Sequence, residues 1–148
     1  MPEMTFRNVD VALSLNDIAK VETEISLTLP EPLRNHYLRW NGGQPEPCVY
    51  EDETIDTIIA EILPLKSGAG RGTASKAYRT LVLEKKIMPK HFFPFAVDGG
   101  GDYFFADCSN PDARVYFFRG DYWLSDREKC VVDLSVNFEG FLTHLKPE

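Results

Sequence analysis

Long apolar runs, a secretory signal and paired cysteines are all missing from the sequence. No apolar stretch approaches the roughly 20 residues that cross a bilayer, and the N-terminal MPEMTFRNVD lacks the basic segment and apolar run of a secretory signal. Cys48, Cys108 and Cys130 are odd in number, widely spaced and without a CxxC pair, which favours reduced, mostly buried thiols over a disulfide or a zinc site. We therefore expect a cytoplasmic protein with no membrane partner.

The sequence has fewer positively than negatively charged residues. The chain has 16 lysines and arginines against 23 aspartates and glutamates, which gives a formal net charge of −7. A protein that binds nucleic acid directly needs Lys and Arg gathered on one face to displace counterions from phosphate, so we do not expect such binding. The same acidity would attract a basic partner protein and speed its encounter, although it also serves solubility alone.

Residues in the spacing of a catalytic or metal site are equally few. The three histidines fall on different predicted elements, and none has ligand spacing to another histidine or to a cysteine: they are His36, His91 and His144. The sequence has no GxSxG motif for a serine nucleophile, and no local pattern pairs Cys108 with a histidine. We therefore expect no enzyme activity, no metal and no cofactor.

A glycine-rich loop, SGAGRGT at residues 67–73, follows a predicted strand and precedes a predicted helix, the context in which loops cradle phosphates. The spacing does not match. A dinucleotide fingerprint needs glycine where Thr73 stands, and a P-loop needs the Gly-Lys-Ser/Thr ending, whereas Lys76 falls beyond Thr73. We favour a mobile surface loop over nucleotide binding.

The chain does carry material for a core. It has 148 residues and 16.8 kDa, with 43% apolar and 12% aromatic residues, so we expect a single domain over residues 1–148. A first helix should begin near Ser14 or Asn16, and a second should follow Pro30, with Leu33, Tyr37 and Trp40 sharing one face before Asn41-Gly42-Gly43 stops it. A third should begin at Thr73 or Ser75, and a last one at Ser135.

The strand signals lie mostly in the last third of the chain. Residues 92–97, 102–107 and 114–119, separated by turn sequences, predict a three-strand antiparallel meander, and residues 130–134 a further short strand. Residues 57–63 favour a strand, with a helix as the alternative, and residues 45–52 are turn-like. The predicted fold is α+β, a twisted, mainly antiparallel sheet packed by about four helices.

Three aspartates, Asp98, Asp102 and Asp107, crowd the central hairpin. Carboxylates on adjacent strands could hold Ca²⁺ or Mg²⁺, or act as an acid and a base. Ordinary turn chemistry explains them better, because an aspartate beside glycines accepts hydrogen bonds from nearby backbone N–H groups.

Two segments are candidates for contacting a partner. The densest charge run contains Glu46, Glu51, Asp52, Glu53 and Asp56, which is either a solvated face or a contact for a basic protein. After the turn-like Gly120-Asp121 come Tyr122 and Trp123, the residue types that anchor interfaces when partly exposed.

The order of these features resembles the SUKH superfamily over about residues 14–145. The resemblance rests on LPEPLRNHYLRWNGG, on FFPFAVDGGGDYFFAD and on the late FEGFLTHL. It implies an α+β fold with helices on a twisted antiparallel sheet, and it carries no established catalytic residues. The family positions that match Trp40, Gly42, Gly101 and Asp102 are implied to be architectural.

The resemblance also implies a function. Bacterial members are mostly immunity proteins that neutralise toxins, many of them nucleases, and fungal relatives regulate cell-wall synthesis through protein contacts. We therefore expect a protein that binds and neutralises a basic toxin domain. The alternatives are a non-catalytic regulatory or scaffold module and, with less support, an enzyme or metal protein that uses the hairpin aspartates.

Overall fold

The computed structural model describes residues 4–148. Within them, helices α1 to α4 are Leu15–Ile25, Glu31–Arg39, Ala74–Tyr78 and Phe138–His144, and α3 continues as a π-helical segment, Arg79–Glu84. Short 3₁₀ turns lie at Gly120–Tyr122 and Arg127–Cys130. Strands β1 to β8 are Thr5–Arg7, Gln44–Glu46, Val49–Glu51, Asp56–Ile62, Phe92–Asp98, Tyr103–Asp107, Arg114–Phe118 and Val131–Asn137.

The sheet is antiparallel and follows the chain. Six strands pair in the order β3-β4-β5-β6-β7-β8, and β1 pairs with β2 in a separate ribbon. The meander of β5, β6 and β7 is confirmed, as is the strand rather than the helix at β4. Four helices packed on this curled sheet make the described residues an α+β fold, as predicted.

Aromatic side chains join the helices to the sheet. Phe95, at a bulge in β5, lies with its ring centroid 5.2 Å from that of Phe138 and 5.3 Å from that of Phe141 on α4. Tyr78 on α3 packs against Phe93 at 6.0 Å. The buried apolar residues that the structure describes, apart from Val49, form one cluster, and truncating a buried phenylalanine in such a core costs about 3–5 kcal/mol.

The start of α1 agrees with its prediction because the signal is local. The Ser14 hydroxyl accepts a hydrogen bond from the Asp17 N–H at 3.1 Å, and the Asp17 carboxylate accepts one from the Ser14 N–H at 2.9 Å. This reciprocal capping box satisfies two otherwise unpaired donors, and its hydrogen bonds lower the pKa of Asp17.

Two helix boundaries were predicted wrongly. Helix α2 ends at Arg39, and Trp40 has an extended backbone (φ −137°), so Trp40 does not share the helix face with Leu33 and Tyr37. Helix α4 begins after Asn137, whose side chain accepts from the Gly140 N–H at 2.8 Å, and not after Ser135. Pairing with β7 carries β8 on to Asn137, past Ser135.

Residues 45–52 are also not simply turn-like. They include the end of β2, which pairs with β1, and all of β3, which pairs with β4. Both strands are three residues long; Pro45 lies within β2, and Pro47 lies between the two strands. Their local signal favours turns, and only pairing with distant segments makes them strands.

Candidate protein-binding surface

The glycine-rich loop at residues 67–73 is pinned rather than free. Asp10 accepts hydrogen bonds from the Ser67 hydroxyl at 2.6 Å and from the Gly68 N–H at 2.8 Å, while the Ser67 hydroxyl accepts from the Arg71 N–H at 3.0 Å. Arg71 also forms an ion pair with Glu61 at 3.0 Å. The N–H groups of Gly68, Ala69 and Arg71 are therefore bonded inside the protein and do not face a phosphate.

The five acidic residues predicted as one surface have different environments. Glu46 on β2 lies 3.4 Å from Arg7 in an exposed ion pair, and Glu51 at the end of β3 pairs with Lys146. Asp52 accepts from the N–H groups of Thr54 at 2.7 Å and of Ile55 at 2.8 Å, which shapes the β3–β4 turn.

Glu53 and Asp56, at the tip of the β3–β4 hairpin, are the exposed acids that remain. Neither has an ion-pair partner among the residues that the structure describes. Asp56 borders a depression of about 220 Å³ together with Asp98, Asp102, Asp121 and the guanidinium of Arg119. We call this the acidic depression. Its two exposed carboxylates, on Asp56 and Asp121, together with that of Glu53 make up what we call the acidic surface.

Asp98 holds the acidic depression together from inside. It is only 7% exposed, and its carboxylate accepts from the N–H of Gly100 at 3.0 Å, the N–H of Asp102 at 2.8 Å and the hydroxyl of Thr57 at 2.7 Å. The β5–β6 turn is thereby tied to β4. The bonds from the N–H groups of Gly100 and Asp102 are the turn chemistry that the sequence favours for this residue, and the bond from Thr57 is a tertiary contact that it does not predict.

Asp102 makes a second connection between chain segments that border the acidic depression. Its carboxylate accepts from the Gly120 N–H at 3.0 Å and so joins β6 to the 3₁₀ turn after β7. Burial raises the pKa of Asp102, and neighbouring Asp98 and Asp121 add to the rise. Among residues 4–148, no group of three or more His, Cys, Asp or Glu side chains is placed to hold a metal ion.

The aromatic segment begins directly after Asp121. The Arg119 guanidinium lies 5.0 Å from the ring centroid of Tyr122, and that of Arg127 lies 3.9 Å from the centroid of Trp123. The ring centroid of Trp123 also lies 5.9 Å from that of Phe118. Tyr122 and Trp123, which we call the aromatic segment, are both half-buried. The next residue, Leu124, is 97% exposed. Leu124 was not predicted as a site residue, because nothing in its sequence context distinguishes it from an apolar residue that folds inward.

The family-motif residues lie at backbone junctions. Gly42 has φ +77°, and a Cβ there would lie 2.8 Å from the Ile62 carbonyl oxygen and 2.8 Å from the Pro64 nitrogen. Gly101, in the β5–β6 turn, has φ +90° with open space around it. Trp40 is half-buried against Phe6, with ring centroids 5.3 Å apart.

A second surface, the apolar groove, was not predicted. This groove of about 1180 Å³ is lined by α2, α4, β1 and the segments at residues 46–48 and 145–148. Its apolar lining includes Phe6, Trp40, Phe138, Leu142 and Leu145. Four separated stretches of chain contribute to it, so no local sequence pattern could have revealed it.

His36 is a half-buried polar residue in the lining of the apolar groove. Its ring lies edge-on to Phe6 at 5.1 Å and to Phe138 at 5.2 Å. Within residues 4–148, its Nε2 is buried without a hydrogen-bond partner. Burial lowers the pKa of His36 to about 4, and the positive charge of Arg39 contributes. The ring is therefore neutral at physiological pH and adds no charge between Phe6 and Phe138.

The cysteines are free thiols. Burial raises the pKa of Cys108 to about 12 and also raises the pKa values of Cys48 and Cys130. A nucleophilic cysteine needs the opposite shift, so none of these thiols is activated in the way that thiol catalysis requires.

The fold and these surfaces define a small α+β domain with an acidic surface and an apolar groove. The chain belongs to the SMI1 / KNR4 family (SUKH-1), whose model matches residues 12–144, and the predicted resemblance is thereby confirmed. Domains of this family are of the immunity-protein or cell-wall-regulator type and are generally non-catalytic. A search of curated proteins found no match to the sequence. Within residues 4–148, no helix has the length and apolar character to span a bilayer.

Proposed function

We propose that this chain acts as a single domain, an immunity protein in the cytoplasm that binds and neutralises a cognate basic toxin domain, with a nuclease as the best-fitting class. The observation that carries the proposal is the acidic surface. Glu53, Asp56 and Asp121 are exposed and without ion-pair partners among the described residues. Asp121 directly precedes the aromatic segment, which is followed by the exposed Leu124. Family membership supports a protein partner.

The chemistry suits a nuclease toxin. A nuclease that holds phosphate needs a basic groove, and four carboxylates against one guanidinium in the acidic depression offer that groove a complementary charge. Complementary charge speeds encounter, whereas buried apolar area and aromatic anchors slow dissociation. In this proposal Trp123 and Leu124 provide the apolar contact beside the charges, and inhibition is steric and electrostatic.

The test begins with the gene neighbourhood. A toxin domain encoded immediately upstream would be co-expressed with this chain, and growth and copurification would be measured. We expect growth to be rescued and the two proteins to form a stoichiometric complex. If the toxin neither copurifies with this chain nor loses toxicity beside it, the immunity proposal is wrong.

The family also contains domains of the cell-wall-regulator type, which makes a regulatory scaffold module the alternative. A scaffold would bind several partners with modest affinity. A pull-down from the native cells that returns one tight, stoichiometric complex would favour immunity, and one that returns several wall-assembly proteins would favour the scaffold.

A catalytic or metal role is not part of the proposal. Asp98 and Asp102, the hairpin acids closest to such a role, accept hydrogen bonds from backbone N–H groups. Calorimetric titration with Ca²⁺, Mg²⁺ and Mn²⁺ should give no binding heat. Saturable heat that disappears in the Asp98→Ala, Asp102→Ala double variant would reopen a metal role.

A further inference from the structure

The apolar groove exposes side chains that a folded chain ordinarily buries. Trp40 and Leu142 are only half-buried although both line the groove, and they adjoin the fully buried Phe138. A concave apolar surface of this kind on a soluble fold marks an interaction site more often than chance. Its neutral His36 adds no charge that an apolar occupant would have to desolvate.

The walls of the apolar groove favour a helix as the occupant. Its lining residues recur at helical spacing on α2, at positions 32, 35, 36 and 39, and on α4, at positions 138, 139, 142 and 143. Such rows form ridges between which the side chains of another helix can pack. An added strand would need a row of free backbone groups. The interior backbone groups of α2 and α4 are bonded within the helices, and β1, the third wall, offers an edge of only three residues.

The charges at its rim specify the flanks of that helix. Glu46 and Lys146 already pair with Arg7 and Glu51. Exposed charges without ion-pair partners among residues 4–148 remain on both walls: Glu139 on α4 and Glu148 beside it, and Arg39 on α2. Complementary charge therefore favours Lys or Arg on one flank of the occupant and Asp or Glu on the other.

We propose that the apolar groove binds an amphipathic helix of a partner protein, with basic residues facing Glu139 and Glu148, an acidic residue facing Arg39 and an apolar stripe against Trp40 and Leu142. This site is separate from the acidic surface and does not depend on the immunity function. A partner that also reaches the acidic surface would be held at two places.

The test uses a synthetic peptide of about 18 residues, long enough for several helical turns. It carries leucines at i, i+3, i+4 and i+7, lysines on one flank and glutamates on the other. The chain has two tryptophans, so a Trp123→Phe background leaves Trp40 as the fluorescent reporter in the groove. We expect a saturable blue shift of Trp40 emission with this peptide and none with a scrambled peptide of the same composition.

Variants locate the binding. In that background, Leu142→Glu should weaken the peptide at least about tenfold, because a carboxylate is costly in an apolar contact. Glu139→Lys should weaken it several-fold, and less so at high salt. The matched controls Leu83→Glu and Glu84→Lys alter exposed residues outside the groove and should leave affinity within about twofold. If Leu142→Glu unfolds, Thr143→Arg blocks the same wall from an exposed position.

Two results would overturn the proposal. One is equal binding of the designed and scrambled peptides, or equal affinity of the groove variants and their controls. The other is a concentration-dependent dimer of the unmodified chain, seen by sedimentation, that Leu142→Glu converts to monomer, because the occupant would then be a second copy of the chain.

Discussion

The acidic depression and the apolar groove are built in opposite ways. The first arises where hairpin turns meet: the buried Asp98 and the half-buried Asp102 accept backbone hydrogen bonds, while the exposed Asp56 and Asp121 have no ion-pair partner among the described residues. The second arises between helices, where the Nε2 of the half-buried His36 lacks a hydrogen-bond partner among residues 4–148. In the first, polar groups stabilise the fold and the surface carries the charge. In the second, apolar packing stabilises the fold and the charge is confined to the rim.

The largest effect on stability should come from Asp98. Asp98→Ala leaves two backbone N–H groups and the Thr57 hydroxyl without their acceptor, and the free energy of unfolding should fall by about 3 kcal/mol. Chemical denaturation measures this. The control Asp112→Ala alters an exposed aspartate and should cost less than about 0.5 kcal/mol. Equal losses in the two variants would show that Asp98 does not hold the acidic depression together.

His36, in the apolar groove, should make the free energy of unfolding depend on pH by a similar amount. Its pKa is about 4 in the folded protein and about 6.5 in an unfolded chain, so the unfolded state binds more protons between these values. The stabilising effect of a neutral His36 is therefore complete above about pH 6.5 and is lost as the pH falls towards 4, by up to about 3 kcal/mol.

His36→Phe isolates this effect from the carboxylates that titrate in the same range. The variant should be more stable than wild type at pH 5, and its melting temperature should fall less between pH 7 and 4.5. Circular dichroism melts at several pH values provide the comparison. Parallel pH curves for the two proteins would contradict a half-buried, neutral His36.

Gly42 tests the junction between α2 and the sheet, next to the apolar groove. Gly42→Ala combines a positive φ with a Cβ 2.8 Å from two backbone atoms, and we expect a loss of more than about 2 kcal/mol. Gly70→Ala is the matched control because Gly70 has φ +73° but open space around it, so it should cost only about 1 kcal/mol. Equal costs in urea unfolding would mean that the close approach at Gly42 does not matter.

The smallest effect on stability belongs to Leu124. Because it is 97% exposed, Leu124→Ser should change the free energy of unfolding by less than about 0.5 kcal/mol. If Leu124 lies in the toxin contact, the variant should nevertheless dissociate faster from the toxin, as surface plasmon resonance can show. An unchanged dissociation rate would remove Leu124 from the proposed interface.

Local signals explain which parts of the fold could be predicted. The capping pair Ser14 and Asp17, the meander and the turn role of Asp98 depend on residues close together in sequence, and each was predicted. The start of α4 was not predicted correctly, because Ser135 and Asn137 are both good N-caps and only the pairing of β8 with β7 decides between them. Strands β2 and β3 likewise depend on partners from other segments.

The candidate surfaces show the same division. The sequence indicates that the stretch from Glu46 to Asp56 is acidic, but only the structure shows that Arg7 and Lys146 neutralise Glu46 and Glu51 and that Asp121 joins the remaining acids. The apolar groove combines residues from both ends of the chain. Such groupings depend on tertiary contacts that no periodicity encodes.

The central proposal is that the acidic surface binds a basic toxin domain, and the affinity of the purified pair tests it most directly. We expect Glu53→Lys with Asp56→Lys to weaken binding at least about tenfold, mainly through slower association at low salt. We expect no such loss for Glu84→Lys with Asp112→Lys, which makes the same change of charge at exposed positions elsewhere. Equal affinity of the two double variants would contradict the proposal.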